Sequence, residues 1–202
     1  MTLPWAKASF HRGAGQPDDF PPTPWPEVAL VGRSNVGKSS LLNALVMQNN
    51  LARVAKTPGR TQAINFFLID QRAMLVDLPG YGYAKAPPDV LKNWQQLCPA
   101  YLQQRDQLKL VLWLLDSRRG LMPTDDPVRD LYEDAAYKVL PVLTKMDQMK
   151  KPEQEGVLKH IAHQLSGPPF LPPVGVSADK GWGLKELRLA CEKIIKGVSV
   201  SL

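Results

Sequence analysis

The sequence has little of what membrane proteins and disulfide-stabilised proteins need. Its longest strongly apolar run, Leu108 to Leu115, is interrupted by Lys109 and is far shorter than the roughly 20 residues of a membrane helix. The first residues lack an apolar core, so no secretory signal is expected. The two cysteines, Cys98 and Cys191, lie far apart. They suit a reducing cytosol and support neither a disulfide framework nor a zinc site.

What the chain does have is an ordinary globular composition and an excess of positive charge. Of its 202 residues, 44% are hydrophobic and 22% are charged, which excludes a wholly disordered or fibrous chain. The net charge is +6, and residues 1–60 carry 7 basic and 3 acidic groups, whereas residues 138–202 carry 10 and 6. Two basic ends fit nucleic-acid binding, although ordinary charge scatter on a solvated surface explains them equally well.

Proline content and hydrophobic periodicity divide the chain into three parts. Residues 1–26 contain six prolines and no helical or strand periodicity, so we expect an N-terminal arm that crosses the surface in extended or turn form. Between 27 and 197, apolar runs alternate with helical patterns, and residues 198–202 form a short tail. This alternation predicts a single α/β domain, whose mostly parallel sheet has helices on both faces.

Six strands are expected in that sheet. Two of them, within 62–70 and 72–78, lie so close in sequence that they predict an antiparallel hairpin at one edge. A helix is expected over 124–137, with Thr124 and Asp125 as candidate caps. Because ligands of such sheets bind at the carboxyl ends of the strands, the chemistry should lie in the loops that follow them.

A phosphate-binding loop follows the first apolar strand. Residues 32–40 read GRSNVGKSS, which fits GxxxxGKS between a predicted strand and a predicted helix. Backbone N–H groups of such a loop converge on phosphate oxygens, and the helix dipole adds positive charge. Lys38 would reach the β- and γ-phosphates and Ser39 would ligate Mg²⁺. The predicted nucleotide-binding residues are Gly32, Arg33, Ser34, Asn35, Val36, Gly37, Lys38, Ser39 and Ser40.

A carboxylate and a glycine follow the second strand of the hairpin. The segment consists of Asp77, Leu78, Pro79 and Gly80. Its carboxylate can hold Mg²⁺ through water, and its glycine N–H can contact a γ-phosphate. Alone, DxxG is a weak signal, since an aspartate at a strand end often serves only to form a turn. After a phosphate-binding loop, we favour the functional interpretation.

The polar segment TPGRTQ precedes the hairpin. Its Thr61 hydroxyl is expected to complete the Mg²⁺ shell when a γ-phosphate is present. Thr57 is the competing candidate, and Thr61 is preferred because it lies nearer the strand. Gly59 and Arg60 are included among the predicted nucleotide-binding residues.

A second loop predicts recognition of guanine. Thr144, Lys145, Met146 and Asp147 end another apolar strand. A carboxylate can accept both the N1–H and the N2–H₂ donors of guanine, a pair that adenine lacks, and the Lys145 stem can cover the base face. The usual guanine motif begins with asparagine, so here a hydroxyl replaces an amide. The alternative is an aspartate that only caps the next helix.

One further tripeptide completes the predicted nucleotide site. Val176, Ser177 and Ala178 follow the last strand, where a backbone N–H could bind the guanine O6. The tripeptide alone carries almost no information.

Together these segments resemble one family. GRSNVGKSS, TPGRTQ, NFF at 65–67, DLPGYGYA, LDSRRG and TKMD are similar to segments of the EngB/YihA ribosome-biogenesis GTP-binding proteins of bacteria, in the TrmE-Era-EngA-YihA-septin-like class. The resemblance covers about residues 8–197. It implies a cytoplasmic GTPase that hydrolyses GTP to GDP with Mg²⁺, and we expect the chain to be a monomer. It also implies a switch in assembly of the large ribosomal subunit or its precursor, with rRNA and ribosomal proteins as partners and no membrane, and a role in cell division and septation.

Hydrolysis by this chain is expected to be slow. Ras-like proteins place a water-orienting glutamine directly after DxxG, whereas Tyr81 stands there. A phenol cannot replace the combined donor and acceptor of an amide in aligning water. Related GTPases with an asparagine at the position of Asn35 can coordinate K⁺, and only the resemblance supports that role here. The residues predicted for catalysis are Lys38, Thr61, Gly80 and Asn35, and those for Mg²⁺ are Ser39, Thr61 and Asp77.

Two other functions stay open on the sequence alone. A P-loop kinase of small molecules would need a second substrate site and an arginine-rich lid, and it would not need TKMD. A scaffold that binds GTP structurally and attaches to RNA or the ribosome is compatible with Tyr81. The basic C-terminal helix, with Lys185, Arg188, Lys193 and Lys196, is the candidate for a surface that faces phosphates.

Overall fold

The computed structural model describes residues 2–54, 63–82 and 88–198. These residues contain one seven-stranded sheet and six α-helices. The strands are β1 (Ala8–Ala14), β2 (Glu27–Gly32), β3 (Ile64–Ile69), β4 (Ala73–Asp77), β5 (Leu108–Asp116), β6 (Lys138–Thr144) and β7 (Val174–Gly175). The helices are α1 (Lys38–Leu45), α2 (Leu51–Val54), α3 (Pro88–Gln104), α4 (Asp126–Asp130), α5 (Lys151–Gln164) and α6 (Leu184–Ile195).

The sheet confirms the predicted fold class. Its strand order is β1-β3-β4-β2-β5-β6-β7. Strand β2 lies at the centre and pairs in parallel with β4 and β5, while β5–β6 and β6–β7 are also parallel. The predicted hairpin is β3–β4, which is antiparallel. The carboxyl ends of β2, β4, β5 and β6 therefore open onto one edge of the sheet, where ligands bind in such folds.

The predicted count of six strands was wrong, because the N-terminal arm contributes a seventh. Strand β1 pairs antiparallel with β3, from Ala8 opposite Ile69 to Ala14 opposite Ile64, and takes the edge that the hairpin was expected to form. Most of its side chains face solvent, so the strand has no apolar alternation. Its position depends on backbone pairing, which a hydrophobic pattern does not record.

Side-chain contacts also fix the arm to the rest of the domain. The Gln48 amide donates to the carbonyls of Ala6 (3.0 Å) and Ala8 (2.8 Å). The indole of buried Trp5 donates to Glu192 Oε1 at 2.9 Å. The arm is thus bound both to the segment after α1 and to helix α6.

Hydrophobic cores lie on both faces of the sheet. Along β2, Ala29 and Val31 pack on one face with side chains of α3 and α5, whereas Val28 and Leu30 pack on the other with α1 and α6. All four are at most 1% exposed. A strand buried on both faces reads as a continuous apolar run, as expected for the centre of a parallel sheet. Among the described residues, no helix has the length and hydropathy required to cross a membrane.

The helix predicted over 124–137 is shorter in the structure. A single 3₁₀ turn at Pro123–Asp125 leads into α4, which ends at Asp130, and turns follow. The rings of Tyr132 and Tyr137 pack edge to face, 6.4 Å apart, on the core side of this region. Here tertiary packing overrides the local helical tendency of the sequence.

Helix α6 corrects the prediction for Arg188. Its guanidinium donates to the carbonyls of Ala44 (2.6 Å) and Leu45 (2.8 Å), at the C-terminal end of α1. Cations stabilise such helix ends. Arg188 was therefore wrongly assigned to a phosphate-facing surface, whereas Lys185, Lys193 and Lys196 of the same predicted surface are exposed.

Candidate functional site

The phosphate-binding loop connects the central strand to the first helix, as the sequence predicts. Gly37 immediately precedes α1 and has φ of 108°, a value that glycine adopts without the cost a side chain would add. Asn35 also has a positive φ, 64°, and its side chain is exposed. The Lys38 ammonium lies 3.5 Å from the carbonyl of Gly32, so it folds back over the loop.

The segment 77–80 lies directly against this loop. Asp77 ends β4 beside Leu30 of β2 and is 6% exposed. A Cβ added at Gly80 would lie 2.9 Å from Lys38 Nζ and 3.1 Å from the backbone N of Ser34. A side chain at this position would crowd the backbone of Ser34 and displace the Lys38 ammonium. The structure thus brings Gly80 against Lys38, with Asp77 at the end of the adjoining strand, and the roles of all three toward a nucleotide stay predictions.

Tyr81 points into the protein. Its side chain is 6% exposed, and its hydroxyl donates to Asp125 Oδ1 at 2.7 Å. Burial, followed by the charge of Asp125, raises the pKa of this phenol far above its usual value. The phenol is therefore a neutral donor whose hydrogen bond is already made inside the protein.

The segment 144–147 is tied to the phosphate-binding loop. The hydroxyl of Thr144, which replaces the usual asparagine, donates to the carbonyl of Val36 at 2.7 Å. Lys145, with φ of 60°, donates from Nζ to the carbonyl of Asn35 at 3.0 Å. Threonine thus still connects this segment to the loop, through its hydroxyl.

A cavity of about 270 Å³ joins these segments. It lies at the carboxyl edge of the sheet. The lining residues are Gly37, Ser40, Leu41, Thr144, Lys145, Asp147, Gln148, Val176, Ala178 and Asp179. Three segments that are distant in sequence therefore face one space, of a size just below that typical of small-molecule sites.

The last predicted tripeptide has different partners at each residue. The N–H of Val176 donates to Leu143 and the N–H of Ser177 donates to Trp182, so both are engaged in the fold. Ala178 lines the cavity. The contact of this segment with a base stays a prediction, for which Ala178 is the residue that faces the cavity.

One charged cluster of the site was not predicted. Asp116, at the end of β5, accepts from Lys145 Nζ at 2.9 Å and from Arg118 Nη2 at 2.6 Å. Burial would raise the pKa of Asp116, but the hydrogen bonds from Arg118 and Lys145 outweigh it and hold that pKa well below its usual range. The ionised carboxylate and the carbonyl of Asn35 together fix the ammonium of Lys145.

Not all predicted site residues fall in the part of the chain that the structure describes. Gly59, Arg60 and Thr61, together with the alternative Thr57, lie outside the described residues. Their assignment to the nucleotide and to Mg²⁺ stays a prediction. Met146, Leu78 and Pro79 are buried, and their assignment to the nucleotide likewise stays a prediction.

Comparison with known proteins assigns the chain to a family. Residues 27–145 match a family described as 50S ribosome-binding GTPase. A probable GTP-binding protein EngB of Roseobacter denitrificans is 48% identical over 80% of this chain and 76% of its own length. The corresponding protein of Rhizobium etli is 43% identical over 95% and 92%.

Solved structures agree on the fold. A probable GTP-binding protein EngB superposes with a TM-score of 0.65 at 22% identity, covering 85% of this chain and 99% of the other. Era, in a complex with MgGDPNP and part of 16S ribosomal RNA, gives 0.62 at 23% identity over 89% and 59%. The motifs, the cavity at the carboxyl edge of the sheet and the sequence relatives agree: this chain belongs to the EngB family of GTP-binding proteins, within the GTPases.

Proposed function

We propose that this chain is a GTP-driven switch that hydrolyses GTP slowly and acts in the cytoplasm, in assembly of the large ribosomal subunit. The observation that carries the proposal is the cavity formed jointly by the phosphate-binding loop, residues 144–147 and Ala178. A kinase of small molecules would not need this second segment. The role in cell division and septation implied by the family resemblance is part of the same proposal.

The phosphate end of the nucleotide would lie on the loop before α1. Its backbone N–H groups and the N-terminus of α1 provide positive potential for phosphate oxygens. Lys38 would bind the β- and γ-phosphates, and Gly80, which packs against Lys38, would contact the γ-phosphate. The remaining residues of 32–40 and 77–80 would form the walls of this end of the site.

The donors near this loop fit Mg²⁺. Ser39 lies in the first turn of α1, and the buried carboxylate of Asp77 ends the adjacent strand, which gives the hard oxygen donors that Mg²⁺ prefers. In the described part of the chain, no three His, Cys, Asp or Glu side chains converge, and few protein ligands are typical of Mg²⁺ bound with nucleotide phosphates. When bound, the ion would neutralise negative charge on the nucleotide phosphates. Thr61 is proposed to complete its shell.

The base end would select guanine. Asp147 lines the cavity and would accept the two guanine donors. Lys145, fixed between Asn35 and Asp116, would cover the base face. Ala178 would donate its N–H to the guanine O6.

Slow turnover follows from the position of Tyr81. Its hydroxyl is buried in a hydrogen bond with Asp125, so it does not orient water as the glutamine of Ras does. An exposed asparagine in the phosphate-binding loop, Asn35, leaves room for K⁺ to supply charge instead. We expect slow hydrolysis that is faster in K⁺ than in Na⁺. Equal rates in the two salts would contradict the role of Asn35, and rapid turnover in both would contradict slow hydrolysis.

The ribosomal partner is supported by family membership and by charge. The matched family carries the description 50S ribosome-binding GTPase, and Lys185, Lys193 and Lys196 are exposed on one helix and the turn that follows it. Neutralising phosphates with such side chains releases counterions, which makes the binding strongly dependent on salt.

Sedimentation with purified large subunits tests the switch. We expect the protein to pellet with the subunits in a non-hydrolysable GTP analogue more than in GDP, because a γ-phosphate orders switch segments. Binding should weaken steeply between low and moderate salt. Equal pelleting in both nucleotides would contradict the switch and favour the scaffold that binds GTP structurally. A turnover assay then tests the scaffold, which should not hydrolyse GTP.

A further inference from the structure

A buried carboxylate lies outside the nucleotide cavity and is not used by the proposed chemistry. The side chain of Asp125 is 1% exposed. One oxygen, Oδ2, accepts from the backbone N of Met122, three residues earlier, at 2.8 Å. Asp125 directly precedes α4, but its side chain makes no capping hydrogen bond to that helix, so the cap predicted from sequence is not formed. The other oxygen, Oδ1, faces the phosphate-binding loop and the segment 77–81, and needs a different explanation.

An aromatic hydrogen-bond chain ends on that second oxygen. The indole of Trp113 donates to the hydroxyl of Tyr81 at 2.9 Å, and this hydroxyl donates to Asp125 Oδ1 at 2.7 Å. The direction of the chain is fixed, because an indole can only donate and burial keeps the phenol protonated. Each of these three groups therefore has a partner within the chain of hydrogen bonds, and removal of one leaves another unsatisfied.

The phosphate-binding loop reaches the same carboxylate. Arg33 Nε lies 3.6 Å from Asp125 Oδ1, and only 12% of the arginine side chain is exposed. Arg33 Nη2 also donates to the carbonyl of Gly120 at 3.0 Å. Side chains from Arg33 and Tyr81 thus meet on one segment, residues 120–125, that follows β5.

The backbone next to Tyr81 is fixed at three successive carbonyls. Ser34 donates from its N–H to Tyr81 (2.8 Å) and from its hydroxyl to Gly80 (3.3 Å). The indole of Trp94 donates to Pro79 at 3.0 Å. Gly80 lies between these contacts and within van der Waals reach of Lys38, so a shift of Tyr81 would displace the glycine.

We propose that Asp125 is a positioning residue that, through Tyr81, holds Gly80 against the phosphate-binding loop and thereby sets the preference for GTP over GDP. We call Asp125, Tyr81, Trp113 and Arg33 the Asp125 latch. The inference rests on the proposed function, in which Gly80 contacts the γ-phosphate. GDP lacks that phosphate, so the latch acts on GTP affinity and leaves GDP affinity nearly unchanged.

Two conservative substitutions test the latch. Tyr81→Phe removes one oxygen atom, and Asp125→Asn removes the charge while keeping the shape. For each variant of the full chain, the dissociation constants of a non-hydrolysable GTP analogue and of GDP are measured by titration with Mg²⁺ present. We expect the ratio of GTP-analogue to GDP affinity to fall about tenfold, a typical size for coupling between sites, with GDP affinity changed less than about twofold.

Tyr132→Phe is the matched control. Tyr132 is fully buried, its ring lies 5.3 Å from that of Trp113, and within the described residues its hydroxyl makes no hydrogen bond. The same atom is removed next to the same indole, outside the latch. The affinity ratio of this variant should equal that of the unmodified chain.

The outcomes distinguish an effect on the preference for GTP over GDP from a general loss of stability. An equal loss of affinity for both nucleotides, or an unchanged ratio in both latch variants, would overturn the proposal. If Asp125→Asn does not fold, as judged by circular dichroism, the affinity ratio of Tyr81→Phe tests the proposal alone. If Tyr81→Phe also fails to fold, the hydroxyl serves the stability of the chain, and the proposal is overturned. An unmodified chain that binds no guanine nucleotide would instead refute the proposed function.

Discussion

Lys38→Ala should reduce the affinity of this chain for both GTP and GDP by at least about a hundredfold. The ammonium lies over the phosphate-binding loop, 3.5 Å from the Gly32 carbonyl, and in the proposed function it binds two phosphates. Each charge-assisted hydrogen bond is worth about 1.5–3 kcal/mol, and about 1.4 kcal/mol corresponds to a tenfold change. Titration with a fluorescent guanine nucleotide measures the loss.

A second lysine provides the control for this substitution. Lys185 is exposed on α6, away from the cavity, and Lys185→Ala removes the same side chain and the same charge. Its nucleotide affinity should match that of the unmodified chain. Nanomolar or micromolar binding that survives Lys38→Ala unchanged would show that the phosphates do not lie on this loop.

Asp147→Asn should change the base that the chain prefers. Asp147 lines the cavity with Thr144 and Lys145. An amide in place of the carboxylate cannot accept both guanine donors, and one unsatisfied buried donor costs about 1–3 kcal/mol. We expect GTP affinity to fall roughly tenfold to a hundredfold and xanthosine triphosphate to bind better, since its 2-position carries an acceptor.

Asp179→Asn is the matched change on the same cavity. Asp179 also lines it, but its side chain is 75% exposed and pairs with Lys180, so guanine preference should be retained. Competition between GTP, ATP and xanthosine triphosphate for one fluorescent probe gives all three affinities. An unmodified chain that binds ATP as well as GTP would contradict guanine selection by Asp147.

The elements that could be predicted are those whose signal is local. Strand β2 is buried along its whole length, so its position is visible as an uninterrupted apolar run before the glycine of the phosphate-binding loop. Strand β1 could not be predicted in this way, because most side chains of this edge strand face solvent and its sequence therefore lacks the alternation of apolar and polar residues that indicates a strand. Its partner, β3, lies on the far side of β2 and α1 in sequence.

The same distinction applies to the site. The loop containing Lys38 and the segment ending in Asp147 are each contiguous in sequence. Their residue types and spacing are enough to predict phosphate binding and guanine binding. Asp125 and Asp116 act through partners 44 and 29 residues away, and no spacing rule connects such pairs. Asp125 could be interpreted only as a helix cap, since that was the one role its neighbours in sequence required.

The N-terminal strand also reduces the conformational entropy that nucleotide binding has to overcome between α2 and β3. Upstream of residues 55–62, Gln48 is bonded to Ala6 and Ala8, and downstream, Ile64 pairs with Ala14. Strand β1 and the residues before it are therefore bonded to the chain on both sides of this interval, so part of the entropy of bringing its ends together is lost on folding rather than on nucleotide binding. Loss of β1 would transfer that part of the cost to the ligand, and because even a doubling of the length to be closed adds only about 0.6 kcal/mol, we expect a small effect on nucleotide affinity.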